Sequence, residues 1–156
     1  RSQFGPGITS DIHFRVDGNL QRISFANHLL FGSGAVELSP SGVEIMRLCA
    51  NIFTSVRGRD GELIYDKIQV EGYTDRVPVT TGRLPERGIY SNWELSAIRA
   101  VNVVKLLSEE GVSPQLLSAV GYGEYQSEAA REDPERLRAR DRKLEIVLFY
   151  SMSFEE

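Results

Sequence analysis

The chain has 156 residues, of which 41% are hydrophobic and 26% charged, with a formal charge of −4. That length suits one domain, or one domain with a short arm, and is enough to bury a core. The negative balance argues against a general nucleic-acid binder, which needs a clustered positive field, and no apolar run nears the roughly 20 residues that cross a bilayer.

The sequence starts at Arg1 without a charged-then-apolar leader, so it reads as a fragment whose anchor or export signal would lie upstream. Residues 1–28 read as a linker or arm, beginning with a tail that contains Gly5, Pro6 and Gly7. Within the arm, Ile12 to Val16 and Gln21 to Phe25 flank Asp17-Gly18-Asn19, which predicts a hairpin. Leu29 to Phe31 is expected as a short apolar strand ending at Gly32-Ser33-Gly34. Ser39-Pro40 supplies an N-cap with proline at the first helical position, and the apolar spacing from Val43 to Val56 carries a helix to about Arg57-Gly58.

In that helix the lone Cys49 sits at helical spacing with Ile45, Leu48 and Ile52. A single cysteine closes no intrachain disulfide, and its setting predicts a buried small hydrophobe. His13 and His28 have no cysteine or second histidine at ligand spacing, so neither a metal site nor a cofactor is expected.

A strand is expected over Tyr65 to Tyr73, with Ile68 and Val70 on one face. Arg76 to Tyr90 holds two prolines and two glycines and reads as a long loop, a length at which loops are commonly functional. Ser91 and Glu94 then form a capping box at the head of a helix reaching Glu110, where Gly111 gives a left-handed stop. Ser113-Pro114 opens a short helical turn, Ser118 to Tyr122 is a strand, and Asp133-Pro134 starts a helix over Glu135 to about Arg140. The strand through Leu144, Ile146 and Leu148 is apolar enough to sit mid-sheet. Residues 151–156 are a tail. Strands alternating with helices predict an α/β or α+β domain with a single sheet covered mainly on one face.

On a helical wheel Trp93, Ala97, Ala100, Val101, Val104 and Leu107 form an apolar side that is expected to face the sheet. Asn92, Ser96 and Arg99 make a narrow polar stripe beside it. A guanidinium beside a buried face needs an anion. That anion is either Asp75, at the end of the preceding strand, or a ligand carboxylate gripped by arginine's planar fork. Asp75 likewise admits two readings: a residue that closes the turn, or a carboxylate at a strand's C-terminal end, where sheets of this class place ligand groups. Together the two side chains would suit a zwitterion.

Four motifs occur in order: Glu71-Gly72-Tyr73-Thr74-Asp75, then Asn92-Trp93-Glu94-Leu95-Ser96-Ala97-Ile98-Arg99-Ala100, then Gly121-Tyr122-Gly123-Glu124, then Asp141-Arg142-Lys143-Leu144-Glu145-Ile146. They resemble the motifs of the OmpA-like peptidoglycan-binding family over about residues 29–150. Ser91-Asn92-Trp93-Glu94-Leu95-Ser96, together with Leu29 to Gly34 and Glu37-Leu38-Ser39, is similar to the flagellar stator B subunit (MotB) group within it. The resemblance implies an α+β sandwich, a mixed sheet with helices mainly on one face, and a non-enzymatic wall anchor. By motif position, Asp75 would take the ammonium of a diaminopimelate residue in the wall peptide and Arg99 its carboxylate. Asn92, Leu95 and Arg142 would line the pocket, with Thr74 and Tyr73 at its edge.

The same resemblance implies a homodimer, a partner membrane subunit of the stator A type, and a periplasmic domain held to the inner membrane by an upstream helix. Two departures stand out: Asp141 replaces the family's asparagine, and Lys143 its second arginine. The loop between Asp75 and Asn92 is also longer than in many relatives.

Other classes fit less well. Porin- or lipoprotein-type tethers and stator-like proteins of other ion-driven machines share the domain. An enzyme would need a nucleophile with its base, a metal, or two opposed carboxylates, and Glu124 is a single acid placed outside the pocket. Arg131, Arg136, Arg138, Arg140, Arg142 and Lys143 are interleaved with acidic residues, the pattern of a solvated face. A purely structural dimerisation domain would leave Asp75 and Arg99 paired with each other.

Overall fold

The computed structural model describes residues 11–77, 79, 84–125 and 142–150. The linker at 1–10, the helix expected over Glu135 to Arg140, Asp141 and the tail at 151–156 lie outside the described residues. Strands β1 (Ile12–Asp17) and β2 (Leu20–Ala26) form the expected hairpin. Its two-residue loop has Gly18 at φ 64°, a left-handed value that suits the primed turns of hairpins.

After β2 the chain makes one helical turn, α1 (Asn27–Leu30), and then α2 (Pro40–Ser55). β3 (Tyr65–Tyr73) follows, then a 3-10 turn at Pro85–Arg87, α3 (Asn92–Glu109), a 3-10 turn at Pro114–Leu116, β4 (Leu117–Gly123) and β5 (Lys143–Tyr150). The described strands make one sheet in the order β1-β2-β5-β3-β4, with β3 and β4 parallel and the other neighbours antiparallel. The architecture is α+β with a mixed sheet, and β5 lies mid-sheet as its apolar character required.

One expected element is different. Leu29 to Phe31 is not a strand: Leu30 ends α1, and Phe31 makes only an isolated bridge to Leu38. The run is too short for a ladder, and its polar groups are satisfied locally. Phe31 N donates to Asn27 O at 2.9 Å, while Ser39 N donates to Leu30 O at 2.8 Å. Both apolar side chains are spent in the core.

That core lies between one sheet face and the two long helices. Ile23, Phe25, Ile68, Val70, Leu144, Ile146 and Leu148 point into it from the strands, and Ile45, Met46, Cys49, Ala100, Val103 and Leu107 from the helices. Cys49 is buried there, and desolvation pushes its thiol up to about 12. Ser39 caps α2 by accepting from Gly42 N at 3.0 Å. Both arms of the Ser91–Glu94 capping box are made at the head of α3.

The buried face of α3 is rotated from the expected one. Asn92, Leu95, Ser96, Arg99, Ala100, Val103 and Leu107 are buried, whereas Trp93 is 50% and Val101 41% exposed. The cause lies in the strands below. A Cβ on Gly72 would stand 2.3 Å from Ser96 O, and one on Gly121 would stand 2.5 Å from Ala97 N. The helix backbone therefore rests directly on the sheet, and only small side chains fit at the contact. Polar Asn92, Ser96 and Arg99 are carried in with it.

A second, smaller cluster of Val36, Ile89 and Leu95, with Val79, Leu84 and Ile98 against it, ties the long loop to α3.

Candidate functional site

The C-terminal ends of the parallel strands β3 and β4 meet the first two turns of α3. Their register shifts between Gly72 and Tyr73, so Tyr73 pairs with Gly123, and such irregularities re-aim the chain beside sites. Thr74 N then donates to Gly123 O at 2.8 Å, and the Thr74 hydroxyl donates to Asp75 O at 2.9 Å. Asn92 clamps the junction: its Nδ2 lies 3.2 Å from Asp75 O, 3.1 Å from Val77 O and 3.1 Å from Glu124 Oε1. Ser96 adds a second clamp by accepting from Gly123 N at 2.9 Å.

Asp75 is 6% exposed. Its Oδ1 accepts from Val77 N at 3.0 Å, closing the turn, and its Oδ2 is 3.5 Å from Arg142 Nε. The turn and ligand readings of this residue are therefore compatible, because one oxygen serves the backbone and the other faces a cation. Arg142 is exposed whereas Asp75 is buried, so the pair is open to solvent on its cationic side, and 3.5 Å is long for a charge-assisted hydrogen bond.

Arg99 is 9% exposed and sits elsewhere. Its Nε donates to Ala35 O at 2.8 Å, and its guanidinium lies over the Phe31 ring, 5.0 Å from the centroid. Burial lowers its pKa to about 10, so it is still a cation at neutral pH. Among the described residues no carboxylate lies within ion-pair reach of it, and the internal Asp75–Arg99 pair expected of a pure scaffold is not formed.

Leu95 is buried in the cluster that holds the long loop. Tyr73 faces away from Asp75: its ring stacks on Tyr122 at 5.2 Å, under the Lys143 ammonium, and its hydroxyl donates to Glu71 Oε1 at 2.8 Å. Desolvation, with Glu71 beside it, pushes that phenol far above its usual range. Only the Tyr73 carbonyl reaches the site's rim, where Asn27 Nδ2 donates to it at 3.2 Å. The structure thus gathers Thr74, Asp75, Asn92 and Arg142 tightly. It sets Leu95 and Arg99 one and two turns along α3, and turns the Tyr73 ring to the other sheet face.

Arg99 and Arg142 open onto one groove of ≈ 940 Å³, which Asn27, Phe31, Gly32, Ser33 and Gly34 also line. Arg15 and Lys143 add positive charge to its wall, against Asp11 and Glu145. Those two acids are already engaged, Asp11 by His28 at 3.3 Å and Glu145 by Arg22, Ser24 and Lys143. The groove therefore favours an anionic ligand group.

Sequence reasoning missed Phe31 and the Ala35 carbonyl, because loop residues far from α3 carry no spacing signal toward it. Glu124, set aside as outside the pocket, in fact bonds Asn92. Its place directly after Gly121-Tyr122-Gly123, in the motif that follows the helix, was the available clue. Among the described residues no cluster of three metal-ligating side chains occurs.

A mixed sheet, a helix seated on paired strand glycines, a buried acid at the strand ends and a buried cation on α3 define the class: an α+β domain with a polar groove. The OmpA family model matches residues 30–142, and the chain belongs to that family. It is 28% identical over 127 residues to Motility protein B of Bacillus subtilis, covering 81% of this chain but 44% of that protein. A putative MotB-like protein of Desulfovibrio vulgaris superposes with a TM-score of 0.75 at 29% identity, covering 93% of this chain and 85% of the other. The periplasmic domain of Helicobacter pylori MotB has the same fold, with a TM-score of 0.72 at 23% identity over 92% of this chain and 85% of its own.

Proposed function

We propose that this domain binds peptidoglycan non-covalently and thereby anchors a membrane protein of the flagellar stator B type to the cell wall. The observation that carries the reading is Arg99: a buried cation supported by one carbonyl and one aromatic face, with no carboxylate supplied by the described residues. Burying a charge without its counter-ion is costly, and a ligand carboxylate arriving through the groove relieves that cost with a charge-assisted bond.

Asp75 takes the ammonium of the same diaminopimelate residue. Its present partner, Arg142, is exposed and 3.5 Å away, so a ligand ammonium displaces it at little cost. Asn92 and Thr74 hold the Asp75 backbone in place, Leu95 fixes the loop above, and Tyr73 contributes through its main chain.

The reading is of a binding module without catalysis. The domain acts in the periplasm as one half of a homodimer, and the partner membrane subunit and the membrane-spanning anchor belong to the whole stator. The chain spans 44% of the length of the Bacillus relative. No helix among the described residues is long and apolar enough to cross a membrane.

Sedimentation with isolated sacculi tests the proposal. The parent domain co-sediments, while Asp75→Ala and Arg99→Ala, checked for folding by circular dichroism, each lose binding by about tenfold or more, in line with truncating one side of a desolvated charge pair. A parent that stays in the supernatant, or folded variants that sediment like the parent, would overturn it.

A further inference from the structure

The rotation of α3 turns Trp93 outward, and the side chain does not stand alone. Seven large hydrophobic residues are exposed among the described residues, and four of them, Val77, Tyr90, Trp93 and Tyr125, belong to segments that meet at Asn92. Trp93 follows Asn92 in the chain and Tyr90 precedes it by two residues. Asn92 Nδ2 donates to the Val77 carbonyl at 3.1 Å and to Glu124, the neighbour of Tyr125, at 3.1 Å. The Trp93 and Tyr125 rings stack with centroids 5.0 Å apart and planes 24° off parallel. They are 50% and 59% exposed. Each ring thus spends one face on the other and offers the rest to solvent.

An exposed patch of this kind marks a binding surface, and its chemistry narrows the occupant. Two aromatic rings held flat by mutual stacking lose little freedom on binding. Their negative faces complement the polarised C–H bonds on the flat side of a pyranose. A sugar also needs hydrogen-bond partners at its rim, and Glu124, held beside Tyr125 by Asn92, supplies a carboxylate there. An interface between two copies of the chain would instead want charge removed from the middle of the patch. The patch is continuous with the Asp75 site through Asn92.

We infer that Trp93 and Tyr125 form a saccharide platform, which takes the glycan of the polymer whose peptide enters the Asp75–Arg99 site. The inference rests on the wall-binding reading and assigns the sugar part of the ligand to residues that reading leaves unused.

Trp93 is the chain's one tryptophan, so its emission reports on the platform directly. The test titrates the parent and Asp75→Ala with peptide-free oligosaccharides of alternating N-acetylglucosamine and N-acetylmuramic acid, and separately with a disaccharide-peptide containing diaminopimelate. The glycan shifts Trp93 emission in both proteins. By calorimetry, Tyr125→Ala and Trp93→Ala weaken the disaccharide-peptide about tenfold, the scale of one lost aromatic face, and Trp93→Phe recovers part of the loss.

Emission unmoved by glycan, or both alanine variants binding like the parent, overturns the platform. Emission that changes with protein concentration alone assigns the patch to self-association and overturns it too. Loss of the disaccharide-peptide in Asp75→Ala without any glycan response leaves the peptide site standing and removes only the platform. A glycan response with Asp75→Ala binding the disaccharide-peptide normally does the reverse.

Discussion

Arg99 and Asp75 are oppositely charged, buried, and engaged with different partners. A scaffold would neutralise the guanidinium with an internal carboxylate, and removing either side would then unfold the domain. Here Arg99 touches Ala35 O and the Phe31 ring, so little stability depends on its charge. Arg99→Met keeps the stem's packing and removes the desolvation cost, at the expense of one hydrogen bond to Ala35 O. Its unfolding free energy in urea is expected within about 1 kcal/mol of the parent, while sacculus binding is lost. A drop of about 3 kcal/mol or more would instead mark Arg99 as structural. Cys49 needs no functional account, since desolvation holds its thiol at about 12 and leaves it inert.

At the level of elements, α3 decides the site. Its capping box fixes where it begins, and the glycines of β3 and β4 fix how it lies. Gly121→Ala would drive a Cβ to 2.5 Å from Ala97 N and 2.7 Å from Ala97 Cβ. A backbone atom cannot yield as a flexible side-chain end does. The helix must lift, with an expected loss of about 3 kcal/mol in urea denaturation, and because Asn92 and Ser96 lift with it, wall binding weakens as well. Gly32→Ala is the control: its Cβ meets only Ala35 Cβ at 3.7 Å, an ordinary contact. If Gly121→Ala is as stable as the parent, the close seating of α3 is wrong.

Across the whole molecule, the sheet face opposite α2 and α3 carries a charged network. Arg22 Nη1 lies 3.2 Å from Glu71 Oε1 and 3.1 Å from Glu145 Oε1. Gln69 and Tyr73 complete Glu71, and Ser24 and Lys143 complete Glu145. Burial alone would raise the Glu145 pKa, but Lys143, the Ser24 hydroxyl and Arg22 outweigh it and hold the carboxyl below its usual value. A carboxylate depressed in the folded state contributes stability that is present above its unfolded pKa and lost as pH falls through the folded one. Thermal stability is therefore expected to fall from about pH 4.5 downward. Arg22→Ala leaves two buried carboxylates short of their shared cation, and is expected to cost about 3 kcal/mol at pH 7. A smaller deficit for Arg22→Ala at acid pH than at neutrality would assign the loss to charge.

Much of this was legible in the chain itself, because the signals are local. The Ser39 and Ser91 caps, the Gly18 turn, the Gly111 stop and the apolar alternation of β5 each act within a few residues, and each element formed where its signal stood. The resemblance of the four motifs fixed the family and the mixed sheet. Three things were decided only by tertiary contact. Leu29 and Leu30 closed a helical turn, with Phe31 in an isolated bridge to Leu38, because the Leu30 carbonyl found Ser39 rather than a neighbouring strand. The face of α3 rotated because two strand glycines let backbone meet backbone, which a helical wheel, blind to the surface beneath it, does not register. And Asp75 found Arg142 while Arg99 settled on Phe31, since partners distant in sequence are chosen by geometry and desolvation, neither of which is encoded at any single position.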